Sequence, residues 1–108
     1  MYRIKIYTTP SGKQPFTQWM DKLTDKPLIS KIHKRLTLFS KGFLSDVKHL
    51  ENGVFETRIH TGGGVRIYFY MHGTTLIVLL CGGLKRTQQK DIAQALKYAN
   101  DFKERTYE

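Results

Sequence analysis

Cysteine occurs once in the 108 residues, at Cys81, so no internal disulfide can form. Its place at the end of the apolar run Leu76-Ile77-Val78-Leu79-Leu80-Cys81 reads as a buried thiol rather than a nucleophile. That run is the longest apolar stretch and falls far short of the roughly 20 residues a bilayer span needs, so no membrane role is expected. Residues 1–10 hold neither the apolar core nor the small-residue cleavage site of a signal peptide, and a reducing cytoplasm is the expected setting. Also missing are a cysteine pair at metal spacing, a His-Glu-x-x-His helix, a Walker loop and a paired-carboxylate motif, so neither a metal nor a cofactor is expected. The triple glycine Gly62-Gly63-Gly64 is not followed by a helix and lacks the helix N-terminus that phosphate-cradling loops use; it reads as hairpin chemistry.

Acidic residues are the other shortage. Asp and Glu number 9 against 18 Lys and Arg, giving a formal charge of +9. A field of that sign and size suits a polyanion, because each cation set on a phosphate releases counterions. A merely solvated basic surface, or one neutralised by an acidic protein, answers to the same charge. Hydrophobic residues at 40% suffice for a core, and the length suits one domain spanning 1–108.

Tyr2, Ile4 and Ile6 alternate with Arg3, Lys5 and Tyr7, which predicts a strand ending at Pro10-Ser11-Gly12. Phe16, Trp19, Met20 and Leu23 recur at helical spacing behind Pro15 and predict a helix over about 14–23. Asp25 is placed to cap a second helix whose stripe is Leu28 or Ile29, Ile32, Leu36 and Phe39, with Lys31, Lys34 and Arg35 outward and Gly42 at its end. From Val54 the period is two. Phe55, Thr57 and Ile59 face one way, and Glu56, Arg58 and His60 the other. Beyond the glycines, Val65, Ile67, Phe69 and Met71 point to the core and Arg66, Tyr68 and Tyr70 away from it. Leu76–Cys81 predicts a strand covered on both faces, closed by Gly82-Gly83, and Thr87 caps a last helix carrying Ile92, Leu96, Ala99 and Phe102. The expected fold is α+β: a small, mostly antiparallel four-stranded sheet with two N-terminal helices and one C-terminal helix, in the order β-α-α-β-β-β-α.

Cations collect at one end of this sheet: Arg58 and His60 on one hairpin strand, Arg66 on the next, and Lys85-Arg86 before the last helix. Cleaving RNA needs a proton taken from the 2′-hydroxyl, charge neutralised at the phosphorus and a proton given to the 5′-oxygen. Histidine suits the proton steps, and the planar fork of arginine suits the phosphate. Tyr68 and Tyr70 are candidates to stack a base. The same cations also read as ordinary exposed strand charges. His33 and His72 read as structural or solvent-facing, and His49, beside Lys48 in a predicted loop, is a minor candidate.

Four segments carry a family resemblance: Phe16-Thr17-Gln18-Trp19-Met20; Gly53-Val54-Phe55-Glu56-Thr57-Arg58-Ile59; Gly64-Val65-Arg66-Ile67-Tyr68-Phe69; and Leu79 through Ile92, with Gly82-Gly83-Leu84-Lys85-Arg86-Thr87 at its centre. Over nearly its whole length the chain resembles the RelE/ParE superfamily of toxins, and within it the addiction module killer proteins related to HigB and to phage-derived toxin-like proteins. The resemblance implies a RelE-like fold and a toxin held inactive by a cognate antitoxin, a small DNA-binding protein. Many such toxins cut messenger RNA in the ribosomal A site without metal, whereas the ParE branch poisons DNA gyrase. It further implies Arg58, Arg66 and Arg86 as catalytic residues, with His60 where some relatives carry a basic residue and Lys85 preceding Arg86 as in relatives; His60 is counted with the catalytic set, and Lys85, Tyr68 and Lys48 are the substrate-binding candidates. Ile92 stands where several ribosome-dependent members carry a catalytic tyrosine or histidine. That leaves the general base open between His60, favoured first, and Tyr68 or Lys85.

Overall fold

Asp25 caps the second helix, Lys26–Ser40, as its position predicts, accepting a hydrogen bond from the Leu28 backbone N–H at 3.1 Å. The computed structural model describes residues 1–61 and 63–106; Gly62, part of the predicted glycine turn, lies outside them. Its elements are β1 (Arg3–Ile6), α1 (Pro15–Asp21), α2 (Lys26–Ser40), β2 (Val47–Glu51), β3 (Val54–Ile59), β4 (Val65–His72), β5 (Leu76–Leu84), a 3-10 turn (Lys85–Thr87) and α3 (Gln88–Thr106). At the end of α2 the amide of Gly42 (φ 98°) donates to Phe39 O and that of Phe43 to Leu38 O, the paired bonds of a Schellman stop.

The four-stranded expectation is wrong. The sheet has five strands in the order β1-β5-β4-β3-β2, with β1 parallel to β5 and the other neighbours antiparallel, so the chain runs β-α-α-β-β-β-β-α around a mixed sheet. The missed strand is β2, which holds Lys48 and His49. As an edge strand it half-buries only Val47 and Leu50, and a register shift between His49 and Glu51 breaks the alternation that would have marked it. A different signal was present: Asn52-Gly53 joins Glu51 to its partner Val54, with φ of 52° and 80°, the two-residue turn that Asn-Gly favours between strands.

Both faces of the sheet are covered. Phe16, Leu28, Ile32 and Phe39 from α1 and α2 pack on Ile59, Val65, Ile67, Phe69, Ile77 and Leu79. On the other face Ala95, Ala99 and Phe102 of α3 pack on Val54, Tyr68, Tyr70, Val78 and Leu80. Arg66, Tyr68 and Tyr70 therefore do not face away from a core; they lie on the face that α3 closes, and β4 is buried from Val65 to Tyr70.

Gly82 and Gly83 let the helices approach β5 this closely. A side chain at Gly82 would meet Trp19 ring carbons at 2.5 Å, and one at Gly83 would run into the Asp91 carboxylate. At its far end α3 is tied to the residues after β1. Tyr7 Oη donates to Asp101 Oδ2 at 2.5 Å, and Arg105 pairs with Asp101 and donates to Thr8 O.

Two outcomes follow from this packing. Gly82→Ala should lower the unfolding free energy by about 1–3 kcal/mol, the usual cost of forcing a group into a filled core, read from urea midpoints. Burial and the Asp101 bond push the Tyr7 hydroxyl from its ordinary value of 10 up to about 12. The unfolded chain thus loses that proton first, so Tyr7's contribution is whole below pH 10 and is lost as pH rises toward 12. Stability of Tyr7→Phe should fall less steeply over that window.

Candidate functional site

Strand register sets the candidate residues in rows. Lys48 lies opposite Glu56, Glu56 opposite Tyr68 and Tyr68 opposite Cys81; two pairs further along, Arg58 lies opposite Arg66 and Arg66 opposite Gly83. Directly opposed residues share a face, here the face of α3. The helix packs on β5 and β4 and reaches β3 at Val54 and Glu56, while Lys48 and Arg58 stay exposed and Arg66 is 7% exposed.

The open end of the second row is continued by the 3-10 turn. Lys85 N donates to Gly64 O at 2.8 Å. Arg66 Nη1 and Lys85 Cβ come within 3.4 and 3.5 Å of the place a Gly64 side chain would occupy, so the arginine fork and the lysine stem both flank Gly64. Gly64 has a φ of 66°, a second reason for glycine. Arg86 follows Lys85 in the turn and is exposed. Arg58, Arg66 and Lys85 thus form one cationic edge, with Lys48 on the neighbouring row. Two arginines directly opposed repel each other. The opposing charge is Glu56, 3% exposed, whose Oε1 lies 3.9 Å from Arg66 Nε and accepts from Gln88 Nε2 at 3.0 Å.

Tyr68 cannot serve as a base-stacking platform in this arrangement: it is fully buried and its ring is part of the α3-side core. Burial, then the neighbouring Glu56 and Asp91 charges, hold its hydroxyl protonated far above the ordinary tyrosine range, which also disfavours it as a base. Tyr70 is buried beside it.

His60 departs from its predicted place. The alternation that made it a same-face neighbour of Arg58 ends with β3 at Ile59, and His60 turns to Asp46, its Nε2 3.3 Å from Oδ2. It lines a groove of about 320 Å³ with Lys31, Lys34 and Arg35 of α2. Arg35 is more than an outward charge, since its Nη1 donates to Thr57 Oγ1 at 2.6 Å and Arg58 O at 2.8 Å, fixing α2 to β3. His49 is exposed on β2 against Phe55, His33 is exposed on α2, and His72 is half-buried against Phe102. Ile92 packs on the α3-side core.

Glu56, Gln88 and Asp91 are the residues that the sequence did not single out. Asp91 Oδ2 accepts from Thr87 Oγ1 at 2.6 Å directly above Gly83. Only glycine inside a strand hinted at them, by marking a close approach. Among the described residues no group of three or more His, Cys, Asp or Glu side chains could hold a metal ion, and no helix is long and apolar enough to cross a membrane.

No protein-family model matches the sequence. The chain is 40% identical over 99 residues to an uncharacterized protein of Haemophilus influenzae, a match covering 92% of this chain and 96% of that protein. The chain belongs to one family with it.

Cys81 gives this region a direct probe. It lies in the Tyr68 row, and burial, with the Asp91 charge added, pushes its thiol from an ordinary 9 up to about 12. At pH 8 it should react with a thiol reagent orders of magnitude more slowly in the folded protein than in urea, since the thiolate is the reactive form; comparable rates would mean that α3 does not seal this face.

Proposed function

We propose that the protein is a cytoplasmic toxin of the RelE/ParE type that binds messenger RNA on the ribosome and cleaves it, and that an antitoxin, a small DNA-binding protein, holds it inactive. The observation that carries this is the cationic edge: Arg58 opposed to Arg66, with Arg66 and Lys85 both flanking Gly64. In the cleavage, the 2′-oxygen bonds to the adjacent phosphorus as the bond to the 5′-oxygen breaks, leaving a cyclic phosphate, and the departing 5′-oxygen takes a proton from solvent water to become a hydroxyl. Negative charge grows on the phosphoryl oxygens. Preset guanidinium groups offset it without reorganising, which is where electrostatic catalysis gains most. Arg58, Lys85 and Arg86 are exposed to take the phosphates on either side, and Lys48 extends the track along β2.

The proton from the 2′-hydroxyl needs an acceptor near neutral pH. His60 is two residues beyond Arg58, and its pairing through Nε2 with Asp46 leaves Nδ1 free for that task, the arrangement by which a carboxylate orients a histidine base. RNA would reach both by bending round the end of β3, with Arg58 on the α3 face and His60 in the groove beside α2.

A second reading, a non-enzymatic ParE-like inhibitor of DNA gyrase or another protein, draws on Ile92, an apolar residue packed into the core where a catalytic side chain is expected. Shared fold leaves both chemistries open.

Primer extension on a defined message in a purified translation system separates the two. Cleavage predicts discrete new 5′ ends, reduced by about a hundredfold or more in Arg58→Ala plus Arg86→Ala, given the usual worth of groups that stabilise transition-state charge. Both residues are exposed, so the variant should keep its fold. Intact message, or ends that persist in the variant, refutes the nuclease; intact message with gyrase-dependent plasmid cleavage establishes the inhibitor.

A further inference from the structure

Glu56 is an acid set into a cationic edge, and it is almost completely removed from solvent. Two buried polar atoms near it have no hydrogen-bond partner among the described residues: Arg66 Nε, 3.9 Å from Glu56 Oε1, and the hydroxyl of Tyr68, the cross-strand partner of Glu56. A carboxylate offers about four acceptor positions, and Gln88 uses one. Spare acceptors on Glu56 thus lie beside an Arg66 donor that lacks one.

Arg66 is divided across this boundary. Its Nε edge is turned inward to Glu56, whereas Nη1 lies beside Gly64 and Lys85 at the open end of the row. Neither Nη atom is among the buried unpartnered ones.

We propose that Glu56 is a positioning residue: anchored by Gln88 of α3, its carboxylate holds the inner edge of the Arg66 guanidinium and so aims the outer fork at a phosphate entering between Gly64 and Lys85. This deepens the RNA reading and rests on it. The sign of one substitution separates it from plain electrostatics. If Glu56 acted only as a negative charge near a polyanion site, Glu56→Gln would tighten RNA binding. If it aims Arg66, the same isosteric change frees the fork and weakens binding.

The test uses the full chain with ¹⁵N-labelled arginine and a short fluorescent single-stranded oligoribonucleotide. The Arg66 Nε–H signal, identified by its disappearance in Arg66→Lys, should exchange slowly with solvent in the parent and about tenfold or more faster in Glu56→Gln, as a buried site does when its closed form is lost. Gln88→Ala, which releases the anchor at a half-buried position, should act in the same direction and serves if Glu56→Gln does not fold. In RNA titrations Glu56→Gln should weaken binding several-fold and reduce the slope of log affinity against log salt by about 0.7, one phosphate contact on a single strand. Added to Arg66→Lys, it should cost almost nothing more. An Arg66 signal unprotected in the parent, or unmoved by either substitution, overturns the positioning whatever the RNA result. Tighter binding by Glu56→Gln, or full additivity with Arg66→Lys, overturns the aiming at phosphate. Loss of protection in a protein that binds no RNA in any form leaves Glu56 as the residue holding Arg66 and overturns the RNA reading alone.

Discussion

Helices press on β4 and β5 from both sides, and most of what is unusual in the molecule follows from that pressure. The two central strands have no solvent face on which to put a charge, so a polar residue there must find a partner inside or lie at an open end. Arg66 does both, with an inner edge on Glu56 and an outer fork beside Gly64. Gly82 and Gly83, adjacent and on opposite faces, mark the place where the pressure is highest: an indole rests on one and a carboxylate on the other. Neither helix layer could settle at its present depth over a β5 with side chains at both positions.

The helices were legible in the sequence because their stripes are regular and their ends are marked, by Pro15 and Asp25 at the starts and Gly42 at a stop. Four of the strands were legible through alternation or a continuous apolar run. β2 was not, because an edge strand with a register shift buries too little to write a pattern, and Asn52-Gly53 was the only residue pair that announced it. The parallel pairing of β1 with β5 left no trace, since it joins residues some seventy positions apart through neither turn nor spacing. Of the candidate site, the meeting of Arg58, Arg66 and Lys85 could be anticipated from strand order. Tyr68 misled, because alternation says which residues share a face and says nothing of what covers that face. His60 misled for a narrower reason: the rule was carried one residue beyond the strand.

The cationic edge and the buried acid belong to one design problem. A basic surface built on exposed side chains costs little stability but holds nothing in a fixed direction, since long side chains sample many rotamers. Burying one arginine stem removes that freedom, and in a dry setting the stem then needs a counter-charge. Here the acid is drawn from β3 and its anchor from α3, so the helix that closes the core also fixes the orientation of a surface charge. Tyr68, fully buried, lies directly across from Glu56 in the same layer.

The distant partnership of β1 with β5 also sets an order of assembly. A chain emerging from synthesis shows β1 first, and the partner for its backbone groups is made only when Leu76–Leu79 appear. The row that includes Arg58 and Arg66 needs β3, β4 and the turn at Lys85, and Glu56 gains its Gln88 partner only when α3 begins. Through Arg58 the sequence already holds 11 Lys and Arg against 5 Asp and Glu, so a nascent chain carries positive charge well before it has the geometry that would direct it.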